Sequence, residues 1–269
     1  MTRIYTLVNQ KGGVGKTTTA VNLGAYLAAF GQRVLIVDLD PQANATSSLG
    51  VDKLRVAAGT YDALLGNTPV TAHMLYSDRI RLWLLPSSPA LAGAEVELVG
   101  ELGREFRLRQ ALQPVAERFD YILIDCPPSL GLLTINGLLA AQNGLLIPVQ
   151  CEYLALEGLG TLTHTIQRVR QALFPQLEVR GVILTMHDPR TRLAEDVVRE
   201  VQRFFAEKTF KTIIPRSVRL AEAPSYGVPI SLYAPHSLGA QAYQSLAREL
   251  LEGDGVAIPL STPATQEAS

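Results

Sequence analysis

The stretch IYTLVNQKGGVGKTTTAVNLGAYLAAF, residues 4–30, decides the fold. Its first five residues are β-prone, its middle is rich in glycine and carries Lys11 and Lys16, and from Thr17 onward apolar residues recur at helical spacing. Gly31 supplies a helix stop. A strand feeding a glycine loop that opens a helix is the setting in which a backbone cradles phosphate. Gly12, Gly13 and Gly15, with Val14 between them, let successive N–H groups turn inward, and the helix N-terminus adds its dipole. Lys16 is placed to reach the β and γ phosphates, Thr17 to offer its hydroxyl to Mg2+, and Thr18 to complete the loop.

Outward from this unit, short apolar runs recur at 34–37, 80–85, 121–124, 145–149, 179–184 and 212–214. Helical patterns lie at 106–118, 156–172, 194–207 and 238–251. That alternation predicts an α/β protein with a doubly wound, mainly parallel sheet and helices on both faces, of the P-loop NTPase type. Several runs lack polar alternation, as strands covered on both faces should. With 269 residues, 47% of them hydrophobic and 18% charged, one domain over residues 1–252 is expected, followed by a disordered tail over 253–269 that is rich in Gly, Pro, Ser and Thr. No apolar run is long enough to span a bilayer, and the two cysteines, Cys126 and Cys151, lack metal or redox spacing. These features predict a cytoplasmic protein. A formal net charge of −1 means that any nucleic-acid binding must come from a local patch.

Open α/β sheets bind ligands beyond the carboxyl ends of their strands, so the acids there matter most. The run at 121–124 ends in Asp125, followed by Cys126, Pro127 and Pro128, and the run at 34–37 ends in Asp38-Leu39-Asp40-Pro41-Gln42. Asp125 is a candidate to hold Mg2+, directly or through water, and Asp40 to orient or activate a water. Asp38 is a candidate to support metal and loop from behind, although a polar turn after a strand would also place an aspartate there. His73, His164, His187 and His236 are scattered without ligand spacing.

The strict phosphate-loop pattern requires glycine at position 10, where this chain has Gln10. The sequence KGGVGKTT, residues 11–18, resembles instead the deviant Walker A box of the ParA/MinD branch of P-loop ATPases. The segments DLDPQANATSSLG (38–50), AGAEVEL (92–98), DYILIDCPPSLGLLTINGLLAA (120–141), IPVQCEYLALEGL (147–159), ILTMHDPRTRLAEDVVREV (183–201) and IPRSVRLAEAPSYGVPI (214–230) extend the resemblance to the ParA/Soj group of partition ATPases. It implies an ATP hydrolase with ATP and Mg2+ as cofactors, slow and stimulated by a ParB-like partner. Lys11 would then reach the nucleotide of the partner subunit in an ATP-bound homodimer, and Lys11, Lys16 and Asp40 would carry the chemistry. The resemblance further implies a loose adenine pocket at Met186, Asp188 and Pro215, residues that also fit ordinary packing and turns. Contacts of the ATP state to nonspecific double-stranded DNA would fall on Arg190, Arg216 and Arg219, with association to the nucleoid.

The chain departs from the family pattern in three places. Ala43 stands where the family usually has glycine, Arg192 replaces a frequent asparagine, and Ala234-Pro235-His236-Ser237-Leu238 replaces a commonly arginine-bearing segment. Acidic neighbours nearly balance the basic residues of the region, a composition that also suits a solvated helix face. Two alternatives stay open: a positioning ATPase for a protein cargo, and a membrane-associated ATPase of the MinD type. The latter needs an amphipathic C-terminal helix, which the tail does not supply.

Overall fold

A computed structural model describes residues 1–66, 68–153 and 155–257. Seven strands form one sheet: β1 (Arg3–Leu7), β2 (Val34–Asp38), β3 (Leu75–Ser77), β4 (Leu82–Leu85), β5 (Tyr121–Asp125), β6 (Gly144–Gln150) and β7 (Val179–Thr185). Their spatial order is β3-β4-β2-β5-β1-β6-β7, and every pairing is parallel except β3 with β4. The helices are α1 (Lys16–Ala29), α2 (Asn44–Ser48), α3 (Thr60–Leu65), α4 (Leu91–Glu97), α5 (Arg107–Leu112) and α6 (Leu132–Ala140). They continue with α7 (Ala155–Ala172), α8 (Arg192–Phe204), α9 (Val218–Glu222), α10 (Ile230–Tyr233) and α11 (Leu238–Gly253).

The period of two along each strand divides the core between two faces. Tyr5, Leu7, Ile36, Tyr121 and Leu123 pack with Leu23 and Leu27 of α1 and Tyr243, Leu246 and Leu250 of α11. Their chain neighbours Ile4, Leu35, Val37, Ile122 and Ile124 point the other way, against Leu64, Leu91, Leu108 and Leu133. A third cluster, built on Leu145, Ile147, Val182 and Leu184, is covered by Leu159, Leu162 and Ile166 of α7 and Val197 and Val201 of α8. Covering both faces removes water from the whole sheet, which is why these strands read as unbroken apolar runs.

Three expectations are corrected. The run at 212–214 forms no strand of the sheet: Ile214 donates its N–H to the Leu184 carbonyl at 2.9 Å, while isolated bridges flank the segment, Thr209 with Val182 of β7 and Pro215 with His187. The helical pattern at 106–118 splits into α5 and a 3-10 stretch from Gln113 to Arg118, because Pro114 has no N–H to donate. The run at 80–85 begins two residues late, since Arg81 turns with φ 52° and β3 and β4 form a small antiparallel pair.

Order continues past residue 252. Asp254 accepts hydrogen bonds from the hydroxyls of Tyr5 (2.8 Å) and Tyr121 (2.9 Å) and pairs with Arg180 (3.1 Å) and Arg3 (3.5 Å). Its side chain is 4% exposed, so the end of α11 is fastened beneath the amino ends of β1, β5 and β7. Residues 258–269, the rest of the expected tail, lie outside the described residues.

Candidate functional site

β1 sits between β5 and β6, and its loop leaves the sheet where strand order reverses. The loop is tied on two sides. Asn9 donates its side-chain amide to the Pro148 carbonyl at 2.7 Å and accepts from the Lys11 N–H at 3.0 Å, and Thr185 at the end of β7 donates its hydroxyl to the Val14 carbonyl at 2.8 Å. Gly13 and Gly15 take φ of 74° and 89°, a left-handed backbone that a Cβ would strain. A Cβ at Gly12 or Gly13 would meet nothing within 4 Å, so the concave side of the loop is open. Among the described residues no side chain caps the N-terminus of α1, which leaves the N–H groups of its first turn directed at the same space.

That space is a cavity of about 370 Å³ lined by the loop residues Gly12, Gly13, Gly15, Lys16, Thr17 and Thr18, by Asp40 from the β2 loop and by Pro128 from the β5 loop. Asp38 and Asp125 are register partners at the ends of β2 and β5, each fully buried. Asp38 is satisfied: Oδ2 accepts from the Thr46 N–H (2.8 Å) and hydroxyl (2.7 Å), and Oδ1 from the Asp40 N–H (3.2 Å). Asp125 is not, since neither of its carboxylate oxygens has a hydrogen-bond partner among the described residues. Burial and then the neighbouring Asp38 push the Asp125 carboxyl well above the usual carboxylate range, with Thr17 and Lys16 opposing. Burial likewise lifts Asp38 to about 6. Lys16, 7% exposed, donates to the Lys11 carbonyl at 3.3 Å, and burial lowers its pKa against the pull of Asp125, Cys126 and Asp40.

A buried carboxylate with both oxygens unpartnered is costly unless a cation meets it. Mg2+ is ordinarily held by one or two carboxylates together with phosphates and waters, and Asp125 with the Thr17 hydroxyl fits that donor set. An open glycine cradle, an uncapped helix start and a buried ammonium fit a polyphosphate. The linkage gives a test on the nucleotide- and metal-free protein. A native pKa above the unfolded value of ~3.9 favours folding below that pH, and this contribution is lost as pH rises through the native value. Asp125→Asn should therefore raise the urea midpoint at pH 8 and converge with the wild type near pH 4. Equal midpoints at both pH values would mean that the carboxyl is not strained.

A second cavity of about 250 Å³ adjoins the first and is lined by Gly15, Thr18, Met186, Pro215, Leu220 and Tyr243, among others. Met186 and Pro215 both line this cavity. Met186 takes a left-handed φ of 52° to turn its chain there. Asp188 does not line either cavity, because Arg190 engages both of its oxygens, at 2.9 and 2.7 Å, and draws its carboxyl below the usual range. Thr46, Ser87 and Thr185, hydroxyls that hold the site's backbone, carry no signal in the sequence; only their contacts reveal them.

The three arginines expected at DNA are exposed but paired. Arg190 binds Asp188, Arg219 binds Glu222 at 3.0 Å, and Arg216 binds Glu152 while also acting on Asp188 through its charge. Ala43 has φ 51°, the conformation that explains glycine at this place in the family pattern.

A seven-stranded, mostly parallel sheet whose glycine loop ends in a lysine and a threonine, with aspartates at the ends of two neighbouring strands, defines a P-loop ATPase. A family model described as an AAA domain matches residues 2–179. The chain is 53% identical over 253 residues to the chromosome partitioning protein ParA of Myxococcus xanthus, covering 94% of this chain and 89% of that protein. It is 53% identical over 250 residues to the sporulation initiation inhibitor protein Soj of Bacillus subtilis, covering 93% and 98%. Among solved structures, cobyrinic acid a,c-diamide synthase of Mycobacterium smegmatis with a bound ATP analogue and magnesium is similar at TM-score 0.81 and 38% identity, covering 97% and 100%. MinD of Pyrococcus horikoshii complexed with Mg-ADP is similar at TM-score 0.76 and 27% identity, covering 95% and 98%. The chain belongs to the ParA/Soj family of chromosome-partitioning ATPases, and its cofactors are ATP and Mg2+. Among the described residues no helix is long and apolar enough to cross a membrane.

Proposed function

We propose that this chain is a switch ATPase of chromosome or plasmid partition, which dimerises around ATP, binds DNA without sequence preference in that state, and lets go after slow hydrolysis stimulated by a ParB-like protein. Lys11 carries the reading. Its loop neighbours Gly12, Gly13 and Gly15 to Thr18 line the phosphate cavity, whereas Lys11 does not line it and forms no ion pair with any described acid. A half-exposed lysine next in the chain to the cavity-lining Gly12, with no acid of its own, is suited to the nucleotide of a second subunit, as an arginine finger acts in trans. Lys16 and the loop amides would hold phosphate, Thr17 and Asp125 would hold the metal, and Asp40 would orient the water. When bound, Mg2+ supplies charge neutralisation between phosphates and carboxylates. Lys11→Ala should abolish ATP-dependent dimerisation in light scattering while leaving the nucleotide-free monomer folded. A mutant that dimerised normally with ATP would remove the trans role.

DNA binding would arise from the same state. Two subunits joined by ATP would double the arginines offered, and each phosphate contact adds a salt-dependent counterion contribution. Asp188, Glu152 and Glu222 compete for those arginines, so each contact must first displace a carboxylate. DNA affinity should thus require ATP and fall steeply with salt, and Arg219→Ala should weaken it and make the salt slope shallower by roughly one to two phosphates per dimer. Equal affinity with and without ATP would count against the surface and favour a protein cargo. Replacement of the arginine-bearing segment by residues 234–238 acts in the same direction, toward weak binding.

A further inference from the structure

Asp40 is held from behind by a residue that no motif of the sequence marks. The chain leaving β4 passes under the β2 loop, and Ser87, 1% exposed, makes two buried contacts there. Its hydroxyl donates to the Asp40 carbonyl at 2.7 Å, and its N–H donates to the Thr46 hydroxyl at 2.9 Å. Thr46 in turn donates to Asp38, whose other oxygen accepts from the Asp40 N–H at 3.2 Å. The N–H and the carbonyl of Asp40 are thereby both engaged by a closed ring of Asp38, Thr46 and Ser87, and the carbonyl accepts in addition from the Ala43 N–H at 2.8 Å. Asp40 Oδ1 accepts from the Gln42 N–H at 2.9 Å, and the residue lines the phosphate cavity.

We propose that Ser87 is the positioning residue for Asp40, setting the direction of its carboxylate through the main chain. Ser87 does not line the phosphate cavity, so it acts only through another residue. The inference rests on the reading of Asp40 as the group that orients water. A buried hydrogen-bond ring restrains its members jointly, and a misplacement of about 1 Å at an orienting group costs rate without costing substrate binding. Because Asp38 sits in the same ring and faces Asp125 across adjacent strand ends, the ring also fixes the water-orienting side of the site relative to the metal-holding side.

The test compares Ser87→Ala with the wild type, with Asp40→Ala and with the double variant. Expected are an unchanged affinity for labelled ATP, a kcat lowered roughly tenfold with KM kept, and no further loss when Ser87→Ala is added to Asp40→Ala. In the nucleotide-free protein the Gln42 and Thr46 amides should exchange with deuterium faster in Ser87→Ala, a readout independent of turnover. Thr46→Val, which keeps the shape but removes the hydroxyl, should repeat the pattern, and Thr46→Ser should restore it. Wild-type kcat in Ser87→Ala, or an equal loss in both backgrounds, would overturn the inference while leaving the role of Asp40 intact. Full turnover in Asp40→Ala itself would remove that role and the inference with it.

Discussion

Lys16→Ala is expected to abolish productive ATP binding, lowering affinity at least about a hundredfold, or ~2.7 kcal/mol. Among the described residues the ammonium is the one cation lining the phosphate cavity, 7% exposed and held at the mouth of α1 by no acid, only by the Lys11 carbonyl at 3.3 Å. Burial already works against its charge, so the site holds a cation that gains from meeting an anion. Its removal would do more than delete one contact. Asp40 lines the same cavity, and a polyphosphate would then enter past its carboxylate with no cation on the lining to oppose it. Equilibrium titration with labelled ATP checks this, with the urea midpoint of the nucleotide-free variant as the control for folding. Unchanged affinity in a folded variant would displace the nucleotide from this loop.

Asp40→Ala should behave in the opposite way, with ATP bound nearly as well as in the wild type and turnover lowered by roughly 10²–10⁴-fold. The substitution removes the carboxylate and its bond to the Gln42 N–H. The backbone contacts that shape the loop remain, since Asp38 still accepts from the residue 40 N–H and Ser87 still donates to its carbonyl. The loop residues that line the cavity, Gly12, Gly13 and Gly15 to Thr18, are untouched. An ATP-bound dimer should therefore persist in light scattering long after the wild type has returned to monomer. Full turnover would exclude Asp40 from the reaction, and loss of ATP binding would make it a structural support of the cavity. The pair of variants separates binding from chemistry: the first loses nucleotide binding and every later step, the second only hydrolysis.

The order of strand, glycine loop and helix at residues 4–30 was legible because local chemistry specifies it: β-prone residues, glycines able to take positive φ, then a helical period. The strand-end aspartates were legible for a related reason. Asp38 and Asp125 interrupt unbroken apolar runs, and a charge at the end of a buried strand stands out in any reading of the chain. Met186 and Pro215 came from family resemblance, and they do meet at the second cavity.

Other features depend on neighbours far away in sequence. Nothing local to Pro114 announces where the 106–118 pattern breaks beyond the missing N–H, and nothing in 212–214 shows that the segment makes no ladder with β7, having only isolated bridges on either side of it. Asp254 belongs in sequence to a polar tail, yet it becomes the shared acceptor of Tyr5, Tyr121 and Arg180, residues 249, 133 and 74 positions away. Family resemblance points Asp188 toward the base, whereas in the fold Arg190 engages its carboxylate. Ser87 and Thr46, small hydroxyl residues of a kind common in loops, acquire their roles only through the partners that the sheet brings to them. Sequence alone therefore determined which lysine, hydroxyl and carboxyl groups gather at the phosphate loop, because those groups are specified by type and spacing on one short segment or at a strand end. Only the tertiary structure decided how Asp40 is aimed and which charges are already spent, because hydrogen bonds and ion pairs are settled by whichever group lies within reach once the chain is packed.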